Sequence, residues 1–261
     1  MIGSHSQTMQ PRPLALNTSA LTHSSGSSVA RLGGTAAVAG IRAEILHARN
    51  IPEPPAIDLD APDTDDPSAP LEPDFALPIV VPNIEIAGAA PGLVAGQAPS
   101  SRAQALAARV LSLLHLTRVI RASDLRITRK AVNEDGEEEE VLAGYWVLYI
   151  DVHVISADGN VFDAIWFAIL GALRNARLPR AAWNSDSESV ICDADPASLR
   201  PLRLRGNPVA ASFAVFEPAL EKGLRDEKGV WVLNDPDGFE EGYFHLLDYL
   251  TAFLFEHRFD I

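Results

Sequence analysis

A single cysteine, Cys192, in 261 residues leaves no internal disulfide and no multi-cysteine zinc or iron–sulfur site. That scarcity fits a reducing compartment. Aromatic residues make up only 7% of the chain, so its core must rest on aliphatic side chains. The longest strongly apolar run, residues 161–173, is interrupted by Asp163 and falls short of the roughly 20 residues that cross a bilayer; no membrane span is expected. The first residues, MIGSHSQTMQPRP, lack a basic segment followed by an apolar one, which excludes a secretory signal at that end. There is no GxxxxGK phosphate loop, GxGxxG, HExxH or GxSxG, so NTPase, dinucleotide, zinc-protease and serine-hydrolase chemistry lack their required groups. The seven histidines are scattered and suggest no metal site. No cofactor is expected.

Basic residues are also scarce, 21 against 35 acids, for a net charge of −14 that is unfavourable to nucleic acid. The excess is local. Eight acids lie in residues 53–74 and six in residues 134–140, and neither stretch contains Lys or Arg. Those 14 acids account for the whole imbalance, because the rest of the chain sets 21 acids against 21 bases. The overall charge therefore decides nothing about RNA.

The chain is long enough for one large domain or two small ones, and 47% hydrophobic residues can build a substantial core. SSVARL (27–32), Gly33-Gly34 and residues 35–45 predict a β-hairpin around a glycine turn. Residues 51–76, rich in Pro and Asp without an apolar period, predict a solvated loop. PIVVPNIEI (78–86) reads as an edge strand because Pro82 cannot donate to a ladder. Leu106, Val110, Leu113 and Leu114 recur at helical spacing after Ser100 and Ser101, either of which suits an N-cap; Arg102 and Arg109 fall on or near the polar side. NEDGEEEE (133–140) predicts a second charged loop. Beyond it YWVLYIDVHVI (145–155) alternates as a strand, with Trp146, Leu148, Ile150, Val152 and Val154 on one face and a mixed set including Asp151 and His153 on the other. Asp158-Gly159-Asn160 supplies a turn, and residues 161–175 predict a helix apolar on nearly every side, as in a buried layer. PVAASFAVF (208–216) and GVWVLNDPD (229–237) predict two further strands. Strands and helices thus alternate loosely, which predicts an α+β or mixed α/β fold with mixed sheets packed against helices.

The block GSSVARLGGTAAVAGIRAE resembles the signature hairpin of the RNase PH superfamily. PIVVPNIEI, WVLYIDVHVISADGNVFDAIWFAILGALRNARLP and NPVAASFAVF follow in the order found in the RNase PH-like ring subunits of the eukaryotic RNA exosome. On that resemblance, residues 11–236 form an RNase PH-like domain with acidic insertions at 51–76 and 132–140. Residues 1–10 are a disordered leader or an expression remnant, and residues 237–261 an atypical tail. A leading helix with Asp-Gly-Arg and a closing hairpin plus long helix, usual in the family, have no match here.

Phosphorolysis of RNA requires a cationic pocket for phosphate and a carboxylate to assist proton transfer or hold Mg²⁺. Active relatives follow the Ala-Asp-Gly turn with a Gly-Thr-Arg-like sequence, whereas the matching positions here are Asn160, Val161 and Phe162. Phe162 binds no phosphate. Asp163 on the first helical turn is explained by the helix dipole and free N–H groups, and Asp158 and Asn160 are ordinary turn residues. Asp158, Asn160, Phe162 and Asp163 therefore read as a degenerate active site, with no catalytic and no metal-binding residue expected. Asp151 and His153 read as a structural pair or as solvent-exposed.

The resemblance implies a non-catalytic structural subunit of the exosome ring, supporting 3′→5′ processing and degradation of rRNA, mRNA and other RNAs. Its implied partners are other RNase PH-like subunits in a hexameric ring, OB-fold cap subunits, an associated hydrolytic nuclease and RNA passing through the channel. Its implied location is nucleus, nucleolus and cytoplasm. The alternative is an active phosphate-dependent exoribonuclease with Arg102 or Arg109 on phosphate and Asp158 or Asp163 assisting. A third reading is RNA contact without catalysis, for which the candidates are Arg102, Arg109, Arg118, Arg121, Arg126 and Lys130.

Overall fold

A computed structural model describes residues 12–53, 55, 57, 59, 73, 77–86, 100–132, 136–216, 231–235 and 250–254. Its centre is a six-stranded sheet. β1 (Leu14–Thr18), β2 (Gly26–Leu32), β3 (Thr35–His47) and β6 (Glu138–Ser156) run antiparallel in that order. The second edge of β6 is shared. β5 (Arg126–Val132) pairs antiparallel with its first half, and β4 (Val80–Ile86) pairs parallel with its second. β4 is thus an edge strand, as Pro82 predicts.

Two helices complete the core. α1 (Ser101–Thr117) begins at Ser100, whose hydroxyl accepts from the Ala103 amide at 3.2 Å, and buries Ala103, Val110, Leu113 and Leu114. α2 (Val161–Asn175) has the predicted bounds and is buried on almost every side; Ala164, Ile165, Trp166, Ala168, Ile169, Ala172 and Leu173 are fully enclosed. One part of α2 lies on β1, β2, β3 and β6, and it also touches β11 (Val209–Phe216), the middle strand of a second sheet. The helix is a layer between two sheets, which is why its sequence has no polar face. Its fit to the large sheet depends on Gly26. A Cβ there would stand 2.5 Å from the Ala172 carbonyl oxygen and the Ala176 Cα.

The second sheet places β12 (Trp231–Asn234) and β13 (Leu250–Leu254) on either side of β11. A pair, β7 (Arg177–Leu178) with β10 (Arg200–Pro201), and a hairpin, β8 (Ala181–Asn184) with β9 (Ser189–Cys192), lie between α2 and β11 in the chain.

Two expectations need adjustment. The charged loop over 132–140 is shorter than its composition suggests, because Val132 pairs with Glu138 and Ala131 with Glu139 as the outer end of a long hairpin. Cross-strand contacts accompany the pairing: Lys130 Nζ lies 2.9 Å from Glu138 Oε2, and Thr128 Oγ1 donates to Glu140. The atypical tail contains β13, a strand that its sequence did not announce. Residues 1–10 and most of 51–76 lie outside the described residues.

Candidate functional site

The turn at 157–160 is clasped to the β2–β3 turn by Thr35. The Thr35 hydroxyl donates to the Asp158 carbonyl at 2.8 Å and accepts from the Asp158 amide at 2.9 Å, so one buried side chain satisfies both backbone groups. Ser156 Oγ adds a bond to the Gly34 carbonyl at 2.7 Å. Gly159 has φ +95°, a region costly for side-chain-bearing residues, and its absent Cβ makes room for the Arg12 guanidinium, which would otherwise lie 2.6 Å away.

Arg12 is the pin of this corner. Its Nε and Nη2 engage both carboxylate oxygens of Asp235, the latter at 2.7 Å, and its Nη1 donates to the Asp158 carbonyl. A planar guanidinium suits this fork-to-fork pairing. The pairing ties residues 223 positions apart and joins the β12 end of the second sheet to the central sheet.

Asn160 is the N-cap of α2, its Oδ1 accepting from the Asp163 amide at 3.1 Å. Its Nδ2 is buried without a hydrogen-bond partner among the described residues. Phe162 is 5% exposed, and the Arg109 guanidinium lies over its ring, 4.2 Å from the centroid. The side chain at this position is packed aromatic carbon and offers phosphate no hydrogen-bond donor.

Asp163 differs from its sequence reading in its partners. It does stand on the first turn of α2, but its carboxylate accepts from the Ser212 amide at 3.1 Å and the Ser212 hydroxyl at 2.8 Å, across to β11. Both residues are buried. Burial pushes the Asp163 carboxyl above the usual aspartate range, while the bonds from Ser212 oppose that rise and Asp235 adds to it. Asp163 is a cross-layer tie in addition to a helix-start residue.

Asp158, Asp163 and Asp235 all act electrostatically on Arg12. The three carboxylates stabilise the Arg12 cation, and its hydrogen bonds to Asp235 and the Asp158 carbonyl engage it within the protein. Among the described residues no group of three or more His, Cys, Asp or Glu is placed to hold a metal ion.

The six candidate RNA contacts stand in different local surroundings. Arg102 is exposed on the first turn of α1, and Arg109 stacks on Phe162. Arg118 caps the C-terminus of α1 with φ 48°. Arg121, 8% exposed, starts a short 3₁₀ turn and accepts from the Asp124 amide through its carbonyl at 3.1 Å, while Asp124 Oδ2 receives the Arg121 amide at 3.2 Å. Arg126 opens β5, and Lys130 is ion-paired near the hairpin end. Asp151 and His153 do not pair with each other: Asp151 accepts from Asn83 Nδ2 at 3.2 Å and His153 Nδ1 lies 3.5 Å from Glu85.

Four residues central to the corner were not singled out as site residues: Arg12, Thr35, Ser212 and Asp235. Thr35 did stand in the signature hairpin, directly after the glycine turn, and Ser212 carried a signal of its own. It shares strand parity with buried Ala210, so a lone hydroxyl there must find a partner inward.

The profile of the RNase PH family, described as the 3′ exoribonuclease family, domain 1, matches residues 10–179, well over half of the chain. The chain belongs to this family. It is 27% identical over 217 residues to exosome complex component rrp43 of Schizosaccharomyces pombe, an alignment covering 83% of this chain and 67% of that protein. It is 27% identical over 233 residues to exosome complex component Rrp42 of Pyrococcus abyssi, covering 87% and 72% respectively. Among solved structures, a chain of the Archaeoglobus fulgidus exosome with RNA bound to the active site superposes with TM-score 0.54 at 18% identity, covering 93% of this chain and 78% of that one. The last likeness supports the fold. The sequence relatives agree with the resemblance to ribosomal RNA-processing protein 43 (exosome component 8) read from VVPN and PVAASFAVF, and extend it to Rrp42-type subunits of the same RNase PH kind.

Proposed function

We propose that this chain is a non-catalytic RNase PH-type subunit of an exosome ring, contributing architecture to a particle that processes and degrades RNA from the 3′ end. The observation that carries the proposal is the start of α2: Phe162 is buried where a phosphate-binding residue is needed, Asn160 caps the helix, and Asp163 is tied to Ser212. The groups that remain at the corner hold layers together, and Arg12 is engaged by Asp235 and the Asp158 carbonyl.

The surface supports assembly. β1 is an edge strand exposed along its whole length, with Leu14 and Leu16 each 43% exposed, and Leu116 on α1 is 72% exposed. Burial of such edges against other RNase PH-like subunits gives the hexameric ring. OB-fold caps and a hydrolytic nuclease complete the particle in this reading, RNA threads its channel, and its places of action are nucleus, nucleolus and cytoplasm.

Co-expression with RNase PH-type partner subunits tests the proposal. Stoichiometric entry into a ring, without phosphate-dependent release of nucleoside diphosphates from RNA, is the expected result. Phosphorolysis abolished by Asp158→Asn or Asp163→Asn in a well-folded complex would instead establish the active exoribonuclease.

A further inference from the structure

The face of the central sheet turned away from α2 carries an open groove of about 370 Å³, at the lower end of the size that small ligand groups occupy. Two cross-strand rows make its floor. Val38, His153 and Glu85 stand side by side on β3, β6 and β4, and Gly40, Asp151 and Asn83 form the next row. Because Gly40 has no side chain, its row is notched on the β3 side, and Leu21, from the segment before β2, leans over the notch; a Cβ on Gly40 would be 3.0 Å from Leu21 Cδ1.

The groove is apolar at one side and anionic at the other. Asp151 and Glu85 are diagonal neighbours on adjacent strands, close enough to repel. Asp151 receives only a neutral amide hydrogen from Asn83, and Glu85 faces His153, whose Nδ1 lies 3.5 Å away. Neither carboxylate is paired with Lys or Arg among the described residues. The one guanidinium at the groove, Arg42, is turned to Glu44 and to the Tyr149 ring, 4.7 Å from its centroid.

We infer that this groove docks an arginine or lysine side chain from a partner protein. The aliphatic stem lies along Val38 and Leu21, and the cationic head sits between Asp151 and Glu85, relieving their repulsion. An amphipathic side chain with an apolar stem and a charged tip matches both halves of the groove, where a simple cation would use only one. The inference does not depend on the exosome reading, since it rests on a surface remote from the α2 corner.

The test is titration of the full chain, alone or in its co-expressed complex, with a fluorescent blocked peptide containing two arginines. The control is the same peptide with citrulline, which keeps the shape and removes the charge. Saturable binding to the arginine peptide, weakened roughly tenfold by citrulline and by the double change Asp151→Asn, Glu85→Gln, is expected from the loss of two partly exposed charge contacts. Both substitutions are isosteric and on the surface, so unchanged thermal unfolding certifies the variant. Equal binding of the two peptides, or full binding by the double variant, overturns the inference. So does spermidine binding at the same residues more tightly than the peptide, which would make the groove a polyamine site.

Discussion

Replacing Asp163 by alanine removes the acceptor that joins α2 to β11. The Ser212 amide, buried in the second sheet, then has no partner, a loss of about 1–3 kcal/mol, and the bond from the Ser212 hydroxyl adds about 1 kcal/mol. Relief of the carboxylate's own burial offsets part of this. The net expectation is destabilisation of about 3 kcal/mol, or roughly 6–12 °C in Tm for a chain of this size. Asparagine keeps one acceptor oxygen and costs about 1 kcal/mol. The pH dependence carries the sign. Burial raises the folded pKa of Asp163 above its unfolded value, so the folded state holds this proton more tightly. The resulting stability is fully present below the ordinary aspartate range and is lost as pH rises through the folded pKa. The gap between wild type and Asp163→Asn is therefore widest in acid and narrows towards neutrality. Chemical denaturation of both variants across that range measures it. An alanine variant within 0.5 kcal/mol of wild type, or a gap that widens with rising pH, would refute the account of Asp163 as a buried tie.

Other expectations concern the same layers. Gly26→Ala drives a methyl group into the α2 backbone and should leave the chain insoluble, whereas Gly136→Ala meets no atom within 4 Å and costs only about 1 kcal/mol for its positive φ; soluble yield separates them. Arg12→Ala should lower stability by about 2–4 kcal/mol in thermal unfolding, and Arg12→Lys should recover less than half of it, because an ammonium cannot reproduce the paired contacts to Asp235. Lys130→Ala breaks a fully exposed pair and should leave Tm unchanged. Charge reversal at Arg102 should leave the affinity of an assembled ring for RNA, and its salt dependence, as they were; a shallower salt slope would make Arg102 a phosphate contact.

The elements that could be read from sequence are those whose pattern is local. α2 carries a cap at Asn160 and an apolar run broken only by Asp163, and the β2–β3 hairpin is marked by paired glycines between alternating strands. The corner around Asp158 was half legible for the same reason: its turn and helix start are contiguous, but Arg12, Ser212 and Asp235 reach it from both ends of the chain. No spacing rule links positions so far apart. Composition misled at 132–140, where a run of glutamates looked like a loop. Cross-strand pairing with Lys130 and Thr128 gives those acids a place in a strand that propensity alone disfavours. β13 was missed because its pairing with β11 is set by tertiary contact, and a run of five residues, four of them apolar, does not distinguish strand from helix.

The long strand β6 has a consequence for synthesis. β3 emerges from the ribosome early, but the first residue of β6 that pairs with it, Gly144 opposite His47, is made about 97 residues later. At ordinary elongation rates of about 5–20 residues per second, the edge of β3 waits roughly 5–19 s for its partner. During that interval the β1–β3 meander has an unpaired edge on one side and the exposed strand β1 on the other. Nascent chains on neighbouring ribosomes present the same two edges to one another. Protection of this half-finished sheet, by a chaperone or by a co-translated subunit, is therefore a requirement that begins before the chain is complete.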